Sequence, residues 1–394
     1  MKLIYFDFDL PPEQVAQRPL AERDASRLLL LDRETGIWQD QLFRELPELF
    51  RGDELLVLNN VRVRPVRLLG RRGGVRAQPP GSSGHAAREF LSAPIEVLLV
   101  REVEPGLWEA LVRPGRKIPT GETLVFANGE LSALVEKRGE FGLRLLRFNV
   151  THDLRPLFDR IGHIPLPPYI RRPDDPDDHL RYQTVFASQG TAAAAPTAGL
   201  HFTPEVLDRL CARGVEIREL TLEVGLGTFA PIHADEIERH TIHQERYQIP
   251  EDTAAAINRA RRDGRPIVAV GTTVVRALED AAEKQARTVG GVSRDPDEPV
   301  FVPGAAQAEI YLYPGRPFRV VDAMLTNFHL PRSSLLVMVA AFAGREAVLA
   351  AYRHAVSAGY RFYSYGDCML ISSGRHAPGE KDTLSSCIEG GVRL

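Results

Sequence analysis

Residues 265–276 read Arg-Pro-Ile-Val-Ala-Val-Gly-Thr-Thr-Val-Val-Arg, and this stretch decides the class of fold. Ile267 to Val270 form a short apolar run typical of a buried strand, and Gly271 follows as a turn. Thr272 or Thr273 then caps a helix whose first N–H groups are free to bind an anion. A strand, a glycine turn and a helix in this order predict a layered α/β domain.

Arg276 lies in the first turn of that predicted helix, where a cation opposes the helix dipole. An anionic ligand such as a carboxylate or phosphate would explain a cation at this position. The alternative is an exposed arginine paired with Glu279 or Asp280. The stretch from Gly271 to Arg276 is therefore a candidate anion site.

The rest of the chain divides into two regions that differ in their predicted secondary structure. From about residue 154 onward, strands alternate with helices; the predicted strands are 215–224, 266–270 and 318–325, and the predicted helices are 204–213, 254–263, 273–284, 334–342 and 346–358. Before that point, short strands dominate and predict a small barrel or sandwich: 55–58, 61–69, 95–99, 108–112, 123–126 and 142–148.

These two patterns of predicted elements indicate two domains. We expect an α/β catalytic domain of residues 1–60 and 150–371, interrupted by an inserted small β-barrel domain of residues 61–149. Residues 72–89 are rich in Gly, Pro, Ser and Arg and are predicted to form a flexible insertion. Residues 372–394 are predicted to form a flexible tail.

Composition excludes several classes of protein. The 394 residues carry a formal net charge of -3, so a nucleic-acid partner would have to be held by a local basic patch. Three widely spaced cysteines argue against a disulfide framework and a thiolate metal site, and indicate a reducing cytoplasm. Asp7 interrupts the N-terminal apolar segment too early for a secretion signal, and the apolar run 335–343 is too short to span a bilayer. We expect no membrane association.

Residues 192–202, Ala-Ala-Ala-Ala-Pro-Thr-Ala-Gly-Leu-His-Phe, form a second informative stretch. Residues this small let the backbone approach a ligand closely, which makes Thr197 and Gly199 candidate ligand contacts. Thr203 is predicted to cap a helix directly after the stretch, so His201 lies on a loop that leads into a helix. His201 is a candidate catalytic residue, and a hydrogen-bonded structural histidine is the alternative.

Polar residues also follow the predicted strand that ends near Leu325. Asn327 and His329 lie where ligands bind in α/β sheets, at the carboxyl end of a strand. Further along, the tyrosines Tyr363 and Tyr365 and the carboxylate of Asp367 lie near a glycine turn and suit stacking on a base and bonding to its edge. Core packing is the alternative for the two tyrosines.

Three further patterns suggest a metal site, a methyltransferase motif and an RNA contact surface. The group His233, Asp235, His240, His243 and Glu245 lacks the spacing of a zinc motif, so we predict no metal site. Glu223 to Thr228 resembles the acidic glycine motif of Rossmann-type methyltransferases, but residues 229–232 separate its glycines from any helix. Basic residues of the strand region predict an RNA contact surface, with a solvated sheet face as the alternative: Arg62, Arg64, Arg67, Arg116 and Lys117.

Taken together, these segments resemble the S-adenosylmethionine:tRNA ribosyltransferase-isomerases of queuosine biosynthesis. The resemblance extends from Phe6 to about Ile371. The matching segments are Phe6 to Pro11, Asn59 to Val63, Gly162 to Ile170, Tyr182 to Val185, Pro196 to Phe202, Gly271 to Thr273, Thr326 to Pro331 and Tyr365 to Asp367.

The resemblance implies transfer of the ribosyl part of S-adenosylmethionine to a 7-aminomethyl-7-deazaguanine base in a tRNA anticodon. Adenine and methionine leave, and an epoxycyclopentanediol remains on the base. It implies no metal or redox cofactor, and an α/β domain interrupted by a small β-barrel. We expect a monomer.

The implied chemistry needs a base to remove a proton from the carbon beside the sulfonium. His201 or His329 is the first candidate, with Asp367 or Glu223 as alternatives. The methionine carboxylate is expected at the Gly271 to Arg276 helix start. The full set of predicted substrate-binding residues is Thr197, Gly199, Gly271, Thr272, Thr273, Arg276, Asn327 and Tyr365.

The chain departs from the family pattern at two positions. Glu223 stands where a histidine is usual, and Arg316 stands where an aromatic residue is usual. If the usual histidine were the essential base, Glu223 would have to take over its role. A tRNA-binding protein without turnover is therefore the second hypothesis, and an S-adenosylmethionine-dependent methyltransferase is the third.

Overall fold

The fold was analysed in a computed structural model that describes residues 1–74, 93–115, 118–139, 142–150, 153–225, 232, 234–288 and 301–374. Its strands are β1 (Arg27–Asp32), β2 (Trp38–Leu42), β3 (Leu55–Asn59), β4 (Val61–Val63), β5 (Arg67–Arg72), β6 (Ile95–Glu104), β7 (Leu107–Arg113), β8 (Thr123–Phe126), β9 (Leu131–Arg138), β10 (Leu143–Phe148), β11 (Gln189–Ala192), β12 (Glu216–Leu222), β13 (Glu245–Ile249), β14 (Ile267–Val270), β15 (Gly304–Ala308), β16 (Ala323–Asn327) and β17 (Cys368–Ser372).

The α-helices of the described residues are α1 (Leu46–Leu49), α2 (Arg155–Ile161), α3 (Asp178–Arg181), α4 (Pro204–Ala212), α5 (Glu251–Arg262), α6 (Thr272–Thr288), α7 (Ser334–Ala343) and α8 (Arg345–Ser357). A short 3-10 helix, Thr197–His201, precedes α4. The predicted cap of α4 is confirmed, because the Thr203 hydroxyl accepts a hydrogen bond from the N–H of Val206 at 3.3 Å.

The described strands form a large mixed sheet in the order β15-β13-β12-β3-β14-β16-β17-β1-β2. The four central strands, β12, β3, β14 and β16, run parallel to one another. Strand β17 is antiparallel to β16, so parallel pairing ends at that position. The carboxyl ends of the central strands therefore meet at one edge of the sheet.

Both faces of the central sheet are covered by apolar side chains. Along β14, Ile267 and Ala269 belong to one buried cluster, whereas Val268 and Val270 belong to another. Successive strand residues point to opposite faces, so a strand buried on both sides is apolar at every position. The short apolar run and the glycine turn at residues 265–276 thus give the strand and helix that they predict.

The barrel is a separate, closed sheet. Strands β10, β7, β6, β5, β8 and β9 pair in that order around a closed barrel, with a third apolar cluster inside it. Strand β4 pairs instead with β11, in a two-stranded parallel sheet. The mixed α/β class with a small β-barrel is confirmed.

The predicted strand 61–69 is wrong in one respect, because it is two strands. The chain between β4 and β5 contains Pro65, whose missing N–H cannot take part in a ladder. Strand β4 then leaves toward β11, and β5 enters the barrel. Seven strands lie outside the predicted ones: β1, β2, β9, β11, β13, β15 and β17.

Two predicted boundaries also move. Arg72 was assigned to the flexible insertion, but it ends β5, is 6% exposed and forms an ion pair with the buried Glu122. Ser372 was assigned to the tail, but it belongs to β17 and lies opposite Asp32 of β1. The remainder of both segments, residues 75–92 and 375–394, lies outside the described residues.

None of the described helices alone has the length and apolar character needed to cross a membrane. Helices α7 and α8 together satisfy those two criteria, with a bend of 116° between them.

Candidate active site at the carboxyl ends of the parallel strands

A cavity of about 250 Å³ opens at the carboxyl ends of β14 and β16. Its walls come from separate parts of the chain: the loop and 3-10 helix before α4, the turn from β14 into α6, and the segment after β16. Ligands of α/β sheets bind at this position, because strand ends and helix starts converge there. The described residues around the cavity are Tyr169, Ala195 to Ala198, Val224, Gly271 to Thr273, Thr326 to Ser333, Leu335, Tyr363 and Ser364.

The turn from β14 into α6 contributes hydrogen-bond donors. Gly271 has a φ of +93°, a conformation that favours glycine, and helix α6 begins directly after it at Thr272. The first N–H groups of a helix have no partner within that helix. The Thr273 hydroxyl oxygen is buried and has no hydrogen-bond partner among the described residues. This wall therefore offers polar groups to a ligand.

Asn327, at the end of β16, connects the cavity to His201. The Asn327 Nδ2 atom lies 3.1 Å from the His201 Nε2 atom and 3.1 Å from the carbonyl oxygen of Tyr363. The other His201 nitrogen, Nδ1, lies 2.7 Å from the Ser26 hydroxyl. His201 itself is buried behind Asn327 and does not line the cavity, whereas Asn327 does.

His329 lines the cavity directly. Its Nε2 atom lies 2.9 Å from the Thr326 hydroxyl, and its Nδ1 atom has no hydrogen-bond partner among the described residues. Burial lowers the pKa of His329 to about 3, so the ring is neutral at pH 7. Burial, reinforced by the positive charges of Arg23 and Arg361, likewise lowers the pKa of His201 to about 3.

An aromatic wall is formed by Tyr363, one of the two tyrosines predicted to suit stacking, and by Tyr169, which was not predicted. The Tyr169 and Tyr363 rings lie 4.2 Å apart between centroids, and both residues line the cavity. Tyr363 has a φ of +74°, which is rare for a residue with a side chain, and its buried hydroxyl has no hydrogen-bond partner among the described residues. Such ring faces suit a flat heterocycle.

Tyr365, which was predicted to stack on a base, instead packs inside the protein. It is 4% exposed, and its hydroxyl donates a hydrogen bond to Asp178 Oδ1 at 2.8 Å. Tyr365 does not line the cavity. At this turn it is Tyr363, two positions earlier, that lines the cavity.

Asp367 is also placed differently from the prediction. Its two carboxylate oxygens accept hydrogen bonds from the backbone N–H groups of Arg27 and Arg361, at 2.9 and 2.8 Å. Burial raises the pKa of this carboxyl, against the effect of those N–H groups. Asp367 therefore ties two chain segments together and does not line the cavity.

Arg276 has a partner that neither alternative from the sequence named. It is 3% exposed, its Nη1 forms an ion pair with Glu245 of β13, and its Nη2 donates to the carbonyl oxygens of His243 and Ala308. The anion that explains this cation is thus a carboxylate of the protein itself. Gly271, Thr272 and Thr273 line the cavity, but Arg276 does not.

Gly199 serves packing. A Cβ atom at this position would lie 2.7 Å from the Phe186 ring and 2.8 Å from the Thr184 side chain. The small residue is therefore needed inside the protein, while its neighbour Thr197 lines the cavity.

Glu223 is half-buried at the end of β12, next to the cavity residue Val224. Burial raises the pKa of its carboxyl, with Arg246 opposing this effect. The residues that follow, 226–231, lie outside the described residues, as does the helix start on which the methyltransferase hypothesis depends. Arg316, the other departure from the family pattern, has its guanidinium 5.6 Å from the Tyr313 ring centroid.

The predicted RNA-contact arginines differ in their pairing. Arg64 lies 3.7 Å from Asp159, and Arg67 lies 3.1 Å from Glu96. Arg62 is exposed, donates to the carbonyl oxygen of Ala187 and has no carboxylate within ion-pair distance among the described residues. Arg116 and Lys117 lie outside the described residues.

The group of His, Asp and Glu residues between His233 and Glu245 does not form a metal-binding cluster in the described part of the chain. No group of three His, Cys, Asp or Glu side chains in that part is arranged to hold a metal ion. Glu245 is the partner of Arg276, and His233 lies outside the described residues.

The fold and the cavity define an α/β protein with a tyrosine-walled candidate ligand site at the carboxyl ends of its parallel strands. A family model described as queuosine biosynthesis protein matches residues 3–371. The chain belongs to this family, and the resemblance predicted from its motifs is confirmed.

Curated relatives match over nearly the whole chain. A Solibacter usitatus protein is 53% identical over 94% of this chain and 100% of its own length. A Syntrophotalea carbinolica protein is 47% identical with the same coverage of both chains. Both are named S-adenosylmethionine:tRNA ribosyltransferase-isomerase. A crystal structure of S-adenosylmethionine tRNA ribosyltransferase from Thermotoga maritima is 36% identical, covers 93% of this chain and 99% of that chain, and has a TM-score of 0.47, too low to inform the fold.

Proposed function

We propose that this protein is an S-adenosylmethionine:tRNA ribosyltransferase-isomerase. It transfers the ribosyl part of S-adenosylmethionine to 7-aminomethyl-7-deazaguanine in tRNA and isomerises it, which gives epoxyqueuosine, adenine and methionine. The observation that carries this proposal is the 53% identity to a relative of that name over its entire length. The cavity supports it, because flat tyrosine faces and buried polar atoms suit a nucleoside.

His329 is the general base in this proposal. The reaction needs an uncharged acceptor for the proton on the carbon beside the sulfonium, and burial keeps His329 uncharged. Its Nδ1 atom is unengaged among the described residues, and its other nitrogen is held by Thr326. Asp367 has no such role in this proposal, because its oxygens accept hydrogen bonds from backbone N–H groups and the residue does not line the cavity. Glu223, beside the cavity, remains the alternative base.

The start of α6 receives the methionine carboxylate. Gly271, Thr272 and Thr273 line the cavity, and a helix N-terminus attracts a negative charge. Arg276 takes no part, since its charge is already compensated by Glu245. The exposed Arg332 is the one fixed charge among the described lining residues, and it lies at the edge of the cavity.

The remaining features of the proposal follow the family. The partners are S-adenosylmethionine and a tRNA that carries the aminomethyl-deazaguanine, with S-adenosylmethionine as co-substrate and no metal or further cofactor. The enzyme acts as a monomer. It acts in the cytoplasm, and the free cysteines Cys211 and Cys368 suit a reducing compartment. The α/β part is the catalytic domain and the barrel is an inserted domain.

The test is incubation of the purified protein with S-adenosylmethionine and an anticodon stem-loop that contains the modified base, followed by mass analysis of RNA and small products. Free adenine and methionine with a ribosyl-sized gain on the base support the proposal. A methyl-sized gain would show a methyltransferase instead. RNA binding without any product would show a tRNA-binding protein without turnover.

A further inference from the structure

Asn327 presents an unused acceptor at the cavity. Its Oδ1 atom is buried and has no hydrogen-bond partner among the described residues, although the residue lines the cavity. Buried polar atoms are nearly always paired, because an unpaired one loses its hydration without compensation. An orphaned acceptor at a ligand cavity therefore points to a donor on the ligand.

The orientation of this amide follows from its neighbours. The backbone carbonyl of Tyr363, 3.1 Å away, can only accept a hydrogen bond, so the Asn327 atom that faces it must be the NH2 group. The reversed amide would place two carbonyl oxygens against each other. The Oδ1 atom is thereby directed away from Tyr363 and keeps its acceptor capacity unused among the described residues.

The same amide fixes the tautomer of His201. The second N–H of Asn327 Nδ2 donates to His201 Nε2 at 3.1 Å, so that nitrogen carries the lone pair and Nδ1 carries the proton. The Nδ1–H then donates to the Ser26 hydroxyl, which in turn donates to the carbonyl oxygen of Arg23 at 3.2 Å. In this series of hydrogen bonds every donor faces an acceptor, and both His201 nitrogens are engaged.

We propose that His201 is a positioning residue that holds the Asn327 amide, and that Asn327 Oδ1 accepts a hydrogen bond from an exocyclic amine on a purine-like ring. This inference rests on the proposed function. The Asn327 amide bonds to the Tyr363 backbone, and both residues line the same cavity, so a flat ring bound there can contact both of them. Two rings of the reaction carry such an amine, the adenine of the co-substrate and the target base of the RNA.

The experiment compares His201→Gln, His201→Ala and Asn327→Ala with the wild type, with His354→Gln as the matched control. A glutamine side chain can accept a hydrogen bond from Asn327 but cannot take up a proton. The readouts are kcat, the KM for each substrate, the pH profile, and the Kd for S-adenosylmethionine measured by calorimetry without RNA. An S-adenosylmethionine analogue that lacks the 6-amino group is measured alongside.

We expect His201→Gln to keep most of kcat with an unchanged pH profile, and His201→Ala and Asn327→Ala to raise a substrate KM or Kd by about tenfold, the value of one hydrogen bond. The amine belongs to adenine if Asn327→Ala binds S-adenosylmethionine more weakly than the wild type does and binds the analogue no more weakly than it binds S-adenosylmethionine. A raised KM for the RNA alone assigns it to the target base.

Two results would overturn the inference. One is a His201→Gln variant that binds both substrates normally but has lost turnover, which is the behaviour of a missing base. The other is an Asn327→Ala variant that binds both substrates as the wild type does. A wild-type protein that binds S-adenosylmethionine but gives no ribosyl product would instead contradict the proposed function, and its Kd values would still test the amide.

Discussion

At the scale of single residues, two buried histidines have different surroundings. His201 has both ring nitrogens engaged by Ser26 and Asn327, whereas His329 keeps one nitrogen unengaged at the cavity. A proton acceptor must be within reach of the substrate, so only the second arrangement suits a base. The residue type alone did not separate them in the sequence, because the two partners that engage His201 are distant from it along the chain.

The first prediction concerns His329→Ala. We expect kcat to fall by roughly 10²- to 10⁴-fold, the usual contribution of a general base, while the Kd for S-adenosylmethionine stays within a few fold. Single-turnover rates and calorimetry measure the two quantities separately, and His354→Ala serves as the control. Turnover within tenfold of the wild type would remove His329 from this role and favour Glu223.

The second prediction concerns pH and stability. An unfolded histidine titrates near pH 6.5, but burial lowers the pKa of folded His201 to about 3. Between these values the unfolded chain binds a proton that the folded protein does not. The stabilisation that comes from a neutral His201 is therefore fully present above pH 6.5 and is lost as the pH falls. Through this residue alone, the free energy of unfolding decreases by about 2 kcal/mol between pH 7 and pH 5.

The variant His201→Gln carries no titrating group at this position, so its free energy of unfolding should depend less on pH by that amount. Urea denaturation of both proteins at pH 7 and at pH 5 measures the difference. Equal pH dependence in the two proteins would show that His201 is protonated in the folded state at pH 5.

At the scale of elements, the segment from β14 into α6 shows what the sequence predicts well. Apolar residues, a glycine and a threonine specify the strand, the turn and the helix start locally. Strand β1, Arg27–Asp32, was not predicted, because a short continuous apolar run has no periodicity that distinguishes strand from helix. Strand β9 carries the exposed Leu134 on its polar face, which obscures its alternation.

Contacts between elements explain why part of the site could not be predicted from the sequence. The sequence places a cation at Arg276 and a tyrosine at Tyr365, but their partners, Glu245 and Asp178, come from other elements. Only the packing of β13 against α6 brings the Glu245 carboxylate to the guanidinium. The Tyr363 ring reaches the cavity through a positive φ, which local sequence preference does not predict for tyrosine.

The third prediction concerns this contact between elements. Arg276→Met leaves the buried Glu245 without its ion pair, so we expect a loss of about 3 to 5 kcal/mol in the free energy of unfolding. The Kd for S-adenosylmethionine at a temperature where the variant is folded should be unchanged. Arg160→Met, at an exposed pair with Glu130, should leave stability nearly unaltered. A stable variant with weakened binding would restore Arg276 to the ligand site.

At the scale of the whole molecule, a protein of net charge -3 must hold RNA through a local surface. Arg62 is exposed on β4 and has no carboxylate partner among the described residues, in contrast to Arg64 and Arg67. Strand β4 lies between the α/β sheet strand β3 and the barrel strand β5 along the chain. A phosphate contact at this place would engage RNA near the junction of the two sheets.

The fourth prediction is that Arg62→Gln weakens binding of the anticodon stem-loop and reduces the slope of log K against log salt by about 0.7 to 0.9, the value for one phosphate contact. Fluorescence anisotropy over a salt series measures the slope. The control is Arg209→Gln, because Arg209 of α4 forms an exposed pair with Glu48 of α1. An unchanged slope would exclude Arg62 from the RNA surface.

The transfer of the ribosyl part of S-adenosylmethionine to RNA is the central claim. The most direct measurement uses two samples of S-adenosylmethionine, one with isotopic label in the ribose carbons and one with label in the methyl group, each incubated with the modified anticodon stem-loop. We predict that ribose label enters the RNA and that methyl label leaves with methionine. Methyl label in the RNA, with ribose label retained in a nucleoside product, would contradict the account.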